Sequence, residues 1–375
     1  MRPRLADYGI SRLARQTGLD VIGIPCWAAV RPNARTLAVN MGKGADDDAA
    51  MASAIMEAVE YAIAEAPEAP AIVTTAAQLR DEGRAVFDIA PWLPPKEPLP
   101  ADLELAWLEG ADLFSGAPVY APRDAVMIGG AETLAAISQS TNGLASGNTL
   151  EEATFHALCE LIERDATTLW IFKSDGAAAA TEIAAAAFAD PLVDDLVAQV
   201  KRAGLRLTLF DQTTNIGLPV IFALLAPRDQ PATRYFDLAA GCGCHPIAVR
   251  AAIRAITEAA QTRVSNIAGG RDDFDPAEYH QRLSASLQSL ATLRADVPRD
   301  PPPGLPLGTP LSTLFSHARA QLIGAGMISI AAFPLGGASA GVAVVRLLAH
   351  GLEDRSTNRH WRPGTRATGA MVGLW

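Results

Sequence analysis

The sequence has few cysteines, and their spacing matches no disulfide framework. Its 375 residues include four cysteines, at positions 26, 159, 242 and 244, with no Cys-x-x-Cys pair. This pattern predicts a reducing compartment, the cytoplasm. Cys242 and Cys244 are separated by one residue and no second pair lies nearby, so we interpret them as small turn residues rather than metal or redox ligands.

The chain also lacks an excess of positive charge. Lys and Arg number 31 against 41 Asp and Glu, which gives a formal net charge of −10. Proteins that bind nucleic acid or anionic membranes in general present a basic face, so the balance argues against both classes. Nucleotide binding stays open, because a bound magnesium ion can reverse the local sign of charge.

No segment has the length and apolarity of a signal peptide or a membrane span. The chain begins Met1-Arg2-Pro3-Arg4, and the uncharged stretch 321–345 is interrupted by glycines and by Pro334. Such a stretch favours buried strands and turns. With 49% hydrophobic and 19% charged residues, the chain has the composition of a globular protein with a substantial core.

Residues 297–310, with six prolines, are the strongest candidate linker. No such boundary separates the segments that carry the motifs, so we predict a single domain over residues 1–375. Helices are expected at about Asp47–Glu65 and near Asp194–Ala203. Strands are expected within residues 20–45, at Glu104–Glu109, and as a hairpin of Leu205–Phe210 with Pro219–Leu225. Helices and strands alternate irregularly, which predicts an α+β fold with mixed architecture rather than a doubly wound sheet.

Three glycine-rich segments each run into a helix that carries polar residues at a similar depth. Gly44 to Glu57 and Gly147 to Glu160 are both thirteen residues apart, and each glutamate has a second one three positions on. We predict a glycine turn before each helix. The segments are 42–44, 142–148 and 241–244, and their helices carry Ser53, Glu57 and Glu60; Glu152, His156, Glu160 and Glu163; and Arg250, Arg254, Glu258 and Gln261.

The acidic line of the second helix allows two interpretations. On a surface helix, a row of glutamates is a solvated face. Here the line is flanked on both sides by apolar residues such as Ala157, Leu158 and Leu161. A helix that is apolar nearly all round is buried, and buried carboxylates need cations or hydrogen-bond donors. Three such helices favour a site in which their polar faces surround a cationic or metal-bound ligand. Magnesium is the cation best suited to neutralise the carboxylates.

These segments resemble the signature of the YcaO family from about Leu19 to Ala367. The first match is Gly42-Lys43-Gly44-Ala45 leading to Ser53, Glu57 and Glu60. The second is Ser140-Thr-Asn-Gly-Leu-Ala-Ser-Gly-Asn148 leading to Glu152 and then to Glu160-Leu-Ile-Glu163-Arg164-Asp165-Ala166. The third is Arg254-Ala-Ile-Thr-Glu258-Ala-Ala-Gln261-Thr-Arg263, followed by Gly270-Arg271-Asp272-Asp273.

The resemblance implies a YcaO-like fold in which the glycine–helix units pack on β-sheets around a nucleotide site. It also implies that ATP and Mg²⁺ activate a backbone amide of a peptide by phosphorylating its oxygen. Three positions depart from the family pattern, namely Tyr61, Thr141 and His156. The predicted nucleotide-binding residues are Ser53, Glu57, Asn148, Glu152, His156, Arg164 and Arg254, with Lys43 added, and the predicted magnesium ligands are Glu57, Glu60, Glu152, Glu160 and Glu163.

Two of these assignments keep an alternative. His156 is either a satisfied core histidine or a ligand contact, and Lys43 either approaches phosphate or is a solvated turn lysine.

The nucleophile determines the product. Family members of this size and layout are often paired with a TfuA-type protein and use sulfide, which yields a thioamide. Members that form azolines commonly end in a proline-rich tail, whereas this chain has no proline after Pro363 and no extra N-terminal domain. We therefore expect thioamide formation on a ribosomal precursor peptide, with a TfuA-like partner. A homodimer is one assembly that we consider. The alternatives are an azoline-forming cyclodehydratase and a non-catalytic accessory protein that binds nucleotide.

Overall fold

A computed structural model describes residues 2–270 and 275–374. Arg271, Asp272 and Asp273, which belong to the third sequence match, lie outside the described residues. The strands are β1 Arg12–Arg15, β2 Cys26–Val30, β3 Val39–Lys43, β4 Ala71–Thr75, β5 Ala85–Val86, β6 Glu104–Asp112, β7 Pro118–Pro122, β8 Leu144–Gly147, β9 Glu182–Ile183, β10 Leu205–Asp211, β11 Val220–Pro227, β12 Ala239–Cys244, β13 Ile330–Gly336 and β14 Ala343–Ala349. The α-helices are α1 Asp47–Glu65, α2 Ala76–Asp81, α3 Arg123–Val126, α4 Leu150–Trp170, α5 Asp175–Ala179, α6 Pro191–Arg202, α7 Ala248–Ala268, α8 Ala285–Thr292, α9 Leu311–Gly324 and α10 Thr365–Met371.

These strands form three sheets. β1, β2 and β3 form the first, in that order, and β12, β11, β10 and β9 form the second. The third runs β5-β7-β6-β13-β14-β8, with β4 paired to β6. The mixture of helices with largely antiparallel strands confirms the predicted α+β class.

The functional part of the fold is one unit used three times. β3 leads into α1, β8 into α4, and β12 into α7. Asp46 caps α1 by accepting a hydrogen bond from the N–H of Ala49, and Thr149 caps α4 in the same way with Glu152. Such caps satisfy N–H groups that have no partner within the helix. The prediction of a helix over Asp47–Glu65 is therefore confirmed.

The glycines of these units serve close packing more than turning. A Cβ atom on Gly42 would lie 2.1 Å from the backbone nitrogen of Ala54, and one on Gly241 would lie 2.3 Å from that of Ala259. Only glycine lets a strand approach a helix backbone this closely. Gly42 and Lys43 belong to β3, Gly147 belongs to β8, and Gly241 to Cys244 belong to β12. The prediction of turns at these residues, including Cys242 and Cys244, was therefore wrong.

The other sequence expectations are mostly met. β10 and β11 form the predicted antiparallel hairpin. Residues 297–310 are hydrogen-bonded to their surroundings, because the N–H of Arg299 donates to the carbonyl of Glu182 at 2.9 Å and that of Leu305 to the carbonyl of Pro246 at 2.8 Å. The single-domain division stays a prediction. None of the described helices combines the length and the apolarity needed to cross a bilayer.

Candidate functional site

Charged side chains from α1, α4 and α7 meet where the three helices approach one another. Glu60 of α1 lies within electrostatic range of Glu57 and of Glu160 on α4. Glu163 of α4 lies within range of Glu258 and Arg254 on α7. The predicted carboxylates are therefore not scattered over the exterior. We call Glu57, Glu60, Glu160, Glu163, Arg164, Arg254 and Glu258 the charged cluster.

The charged cluster is partly shielded from solvent, because Glu163 is buried and its other members are half-buried. The Glu160 side chain keeps 23% of its accessible surface and Arg164 keeps 32%. Lys43 of β3 keeps 22% and forms an ion pair with Glu258, which keeps 28%. A solvated surface row would be far more exposed, so the structure supports the second interpretation of the acidic line.

Three carboxylates of the charged cluster have raised pKa values. Burial raises the pKa of Glu60 well above its ordinary value, and the charges of Glu160 and Glu57 add to the effect. Burial likewise raises the pKa of Glu160, although Arg164 opposes it. Burial and the charge of Glu258 raise the pKa of Glu163 to about 7. Negative charge is thus under-compensated here, and a bound cation would relieve it.

Glu258 behaves differently because it has a partner. Burial opposes its ionisation, yet the charge and hydrogen bond of Lys43 lower its pKa. Lys43 is therefore neither a solvated turn residue nor free for phosphate alone, since it is tied to α7. The sequence analysis placed Glu258 in the third motif but did not select it as a site residue.

The arginines of the charged cluster offer unused hydrogen-bond donors. Within the described residues, the buried Nε atoms of Arg164 and Arg254 have no hydrogen-bond partner. Both side chains have raised pKa values despite burial, because the glutamates around them favour the charged form. An anion with several oxygens, such as a phosphate chain, could satisfy these donors.

The donor set fits magnesium that is shared with such an anion. Among residues 2–270 and 275–374, no three carboxylate, imidazole or thiol groups are close enough to hold a metal ion by themselves. Magnesium is usually held by one or two carboxylates, with phosphate oxygens and water completing its octahedron. The residues present therefore fit a nucleotide–magnesium complex better than a metal bound by protein alone.

Three predicted residues lie on the N-terminal side of the charged cluster. Ser53 is half-buried on α1, one turn before Glu57. The backbone N–H and the side-chain amide of Asn148 both donate to Glu152 at 3.0 Å. Glu152 lies about 12 Å along α4 from Glu160. The roles of these residues stay predictions.

The structure agrees in part with both interpretations of His156, as a core histidine and as a ligand contact. Burial, and then the charge of Arg254, lower its pKa, so its imidazole is neutral. His245, which the sequence analysis missed, is similar: burial and Arg254 lower its pKa to about 3. Both imidazoles lie beside Arg254 of the charged cluster. A contact with ligand at His156 stays a prediction.

A further residue near the charged cluster is Arg346 of β14, which is 2% exposed. It lies within electrostatic range of Glu160 and Glu60. The sequence analysis missed it, although a signal was present. Arg346 is the one charged residue in the apolar stretch Ala343–Ala349.

The opposite face of α4 carries a different network, built from Asp165. Its carboxylate receives two hydrogen bonds from Arg366 of α10, at 2.9 and 2.8 Å, and one from the N–H of Glu353 at 3.0 Å. The carboxylate of Glu353 accepts from the indole N–H of Trp361 and from the N–H of Ala367, both at 2.9 Å. We call these residues the back network. It borders a cavity of about 660 Å³, also lined by Asn142, Trp92 and Asp354.

Comparison with known proteins places this geometry in a family. The family model described as YcaO cyclodehydratase, ATP- and Mg²⁺-binding, matches residues 41–353. A protein of Rhizobium leguminosarum bv. trifolii, described as an uncharacterized protein in the tfuA 3′ region, is 40% identical over 387 residues, covering 100% of this chain and 90% of that protein. The family description confirms the predicted cofactors, ATP and magnesium.

Solved structures share the fold. The YcaO protein of Methanopyrus kandleri bound with AMPPCP and Mg²⁺ superposes with a TM-score of 0.73 at 23% identity, covering 97% of this chain and 92% of that one. A heterocyclase in complex with substrate and cofactor gives a TM-score of 0.75 at 18% identity, covering 92% of this chain. The present chain spans 50% of that heterocyclase. Because a relative is 40% identical over the whole of this chain and the family model matches residues 41–353, the chain belongs to the YcaO family.

Proposed function

We propose that this protein uses ATP and Mg²⁺ to phosphorylate a backbone amide oxygen of a ribosomal precursor peptide. Sulfide then converts the activated amide into a thioamide. The observation that carries the proposal is the charged cluster. It brings under-compensated carboxylates and arginines with unused donors within electrostatic range of one another. This combination suits a phosphate chain that is neutralised by magnesium.

The chemistry explains why a nucleotide is needed. An amide oxygen is a poor leaving group, and phosphorylation turns it into a good one. Sulfide adds to the amide carbon and forms the C–S bond; the C–O bond then breaks, and the oxygen departs with the phosphate. Magnesium, when bound, supplies positive charge against the phosphate oxygens.

The residues have distinct tasks in this proposal. Glu57, Glu60, Glu160 and Glu163 would provide carboxylate oxygens for magnesium, one or two to each ion. Arg164 and Arg254 present planar forks to phosphate oxygens. The N-terminus of α4, with Asn148 just ahead of its cap, contributes the positive end of a helix dipole.

One observation supports thioamide formation in particular, and a second bears on the source of the sulfur. The relative in the tfuA 3′ region is 40% identical over the whole chain, which favours a TfuA-like partner for this protein as well. The four cysteines are buried and free, and burial raises the pKa values of Cys242 and Cys244 well above the ordinary thiol value. Thiols that stay protonated are poor nucleophiles. We therefore propose that sulfur arrives as sulfide, or from the partner, in the cytoplasm.

The test is reconstitution. The purified protein, ATP, Mg²⁺, sulfide, a TfuA-like protein and a candidate precursor peptide encoded nearby should yield a peptide that is heavier by one oxygen-to-sulfur exchange. Loss of one water from the peptide would instead assign azoline formation. A pathway that works without ATP turnover by this chain would assign an accessory role.

A further inference from the structure

Arg346 is a buried arginine with an unused hydrogen-bond donor. Its Nη1 donates to the carbonyl of Ser140 at 2.5 Å, and its Nε has no partner among the described residues. An arginine carries five N–H donors, and burying them without acceptors is costly. A guanidinium kept in this state is suited to bind a group that arrives from elsewhere.

The negative charges around Arg346 stop short of contact. Glu160, Asp354 and Glu60 all act on it electrostatically. In the part of the chain that the structure describes, however, it takes part in none of the ion pairs. Burial outweighs these carboxylates and lowers the pKa of Arg346 to about 10. Its positive charge is therefore under-compensated, just as the negative charges of Glu60 and Glu160 are.

Arg346 also lies close to the cavity that the back network borders, because its neighbour Leu347 lines that cavity. It is within electrostatic range of Glu60 and Glu160 of the charged cluster and of Asp354, which accepts a hydrogen bond from the Asn142 side chain at 2.9 Å. Asn142 and Asp354 line the cavity of about 660 Å³. The Oδ1 atom of Asn142 is buried and, within residues 2–270 and 275–374, lacks a hydrogen-bond partner. A second substrate that enters this cavity would therefore approach the cluster at Arg346.

We infer that Arg346 binds the terminal phosphoryl group of the nucleotide, at the point where that group meets a peptide amide entering from the cavity. Arg164 is paired with Glu160 at 3.5 Å, and Arg254 lies within range of Glu163 and Glu258. Arg346 lies within range of Asp354, which lines the cavity, so it is the arginine that we place on the cavity side. The inference rests on the proposed function, since it names the residue that receives the group to be transferred. Arg346 is thereby a binding residue for the reaction rather than a structural charge.

The test compares two nucleotide analogues by calorimetry in the presence of Mg²⁺. AMPPCP carries the terminal phosphoryl group, and AMPCP lacks it. Arg346→Gln should weaken AMPPCP about 10- to 100-fold, which is the effect of one or two charged hydrogen bonds, and should leave AMPCP nearly unchanged. Arg346→Lys keeps the charge but loses the fork, and should show a smaller loss that is again confined to AMPPCP.

Arg319→Gln is the matched control. Arg319 of α9 also donates to one carbonyl, that of Phe114 at 3.1 Å, and its Nε likewise has no partner among the described residues. It should leave the ratio of the two affinities unchanged. If Arg346→Gln does not fold, Arg346→Lys carries the test.

The outcomes separate this inference from the proposed function. Equal losses for both analogues, or no loss for either, would overturn the role of Arg346 while leaving the nucleotide site in place. Failure of the unaltered protein to bind AMPPCP with Mg²⁺ would overturn both.

Discussion

The two faces of α4 carry opposite kinds of charge network. On the back face, Asp165 is fully buried and its oxygens are satisfied by Arg366 and by a backbone N–H. On the front face, the neighbouring residue Arg164 has an unpartnered Nε in the described chain. Burial raises the pKa values of Glu160 and Glu163 and also that of Asp165, so the two faces differ in how completely their hydrogen bonds are formed. The two networks begin at adjacent residues of one helix.

The difference separates structure from binding. A buried ion pair whose hydrogen bonds are complete holds elements together, here α10 on α4, and is costly to break. A buried cluster with unbalanced charge is a cost to the folded state until a ligand balances it. The back network should therefore govern stability, and the charged cluster should govern ligand binding.

The largest expected effect is that of Glu163→Gln. It removes a carboxylate from the charged cluster, and we expect ATP turnover to be lost because magnesium is held less well. The folded state should not suffer, since a neutral amide ends the repulsion with Glu258 and can still accept the hydrogen bond from the N–H of Cys244. Phosphate release and thermal unfolding measured on the same sample check both parts. Unchanged turnover would favour the accessory role.

Asp165→Asn should produce the reverse pattern. Removing the partner of a buried arginine costs about 3–5 kcal/mol, so the urea midpoint should fall markedly. The affinity of the remaining folded protein for AMPPCP with Mg²⁺ should change little. A large loss of affinity without a loss of stability would break the division between the two faces.

Stability without ligand should depend on pH through Glu163. Its pKa is raised in the folded protein from 4.5 to about 7, so folding favours the protonated form. That contribution is present at low pH and is lost as the pH rises through the folded value, on the order of 1–3 kcal/mol in total. Unfolding in EDTA between pH 5.5 and 7.5 should show a steeper decline for the unaltered protein than for Glu163→Gln. Parallel profiles would contradict the raised pKa.

The smallest effect is expected for Cys242→Ser. The Cys242 thiol lies beside Gln212 and Thr167 and stays protonated, because burial and then the charge of Glu163 raise its pKa. Thioamide formation should therefore continue at nearly the same rate, as measured by mass spectrometry of the peptide. Loss of sulfur transfer with ATP turnover intact would mean that a cysteine of this chain handles the sulfur.

The sequence predicted the local structure and the proximity of the three helices better than it predicted which side chains form pairs. The helix expected at about Asp47–Glu65 matches α1. The shared spacing of Glu57 and Glu160 from their glycines indicated a common depth. Gly241 and Gly243 misled the analysis, because the close approach of α7 to β12 is a tertiary contact that a glycine pattern does not distinguish from a turn. The pairing of Lys43 with Glu258 joins residues 215 positions apart, so local pattern carried no information about it.

Arg346 was a different kind of omission. A lone charge in an apolar strand is a signal of a buried functional group. The sequence alone does not show what surrounds Arg346. In the fold, β14 packs against α1 and α4 and also contributes residues to the cavity.

The central claim is that the charged cluster binds a nucleotide together with magnesium. Calorimetric titration of the unaltered protein with AMPPCP, with Mg²⁺ and then with EDTA, tests it most directly. We predict saturable binding that depends on Mg²⁺ and is strongly weakened by Glu163→Gln. Binding that is equally tight in EDTA, or that Glu163→Gln leaves unchanged, would contradict the account.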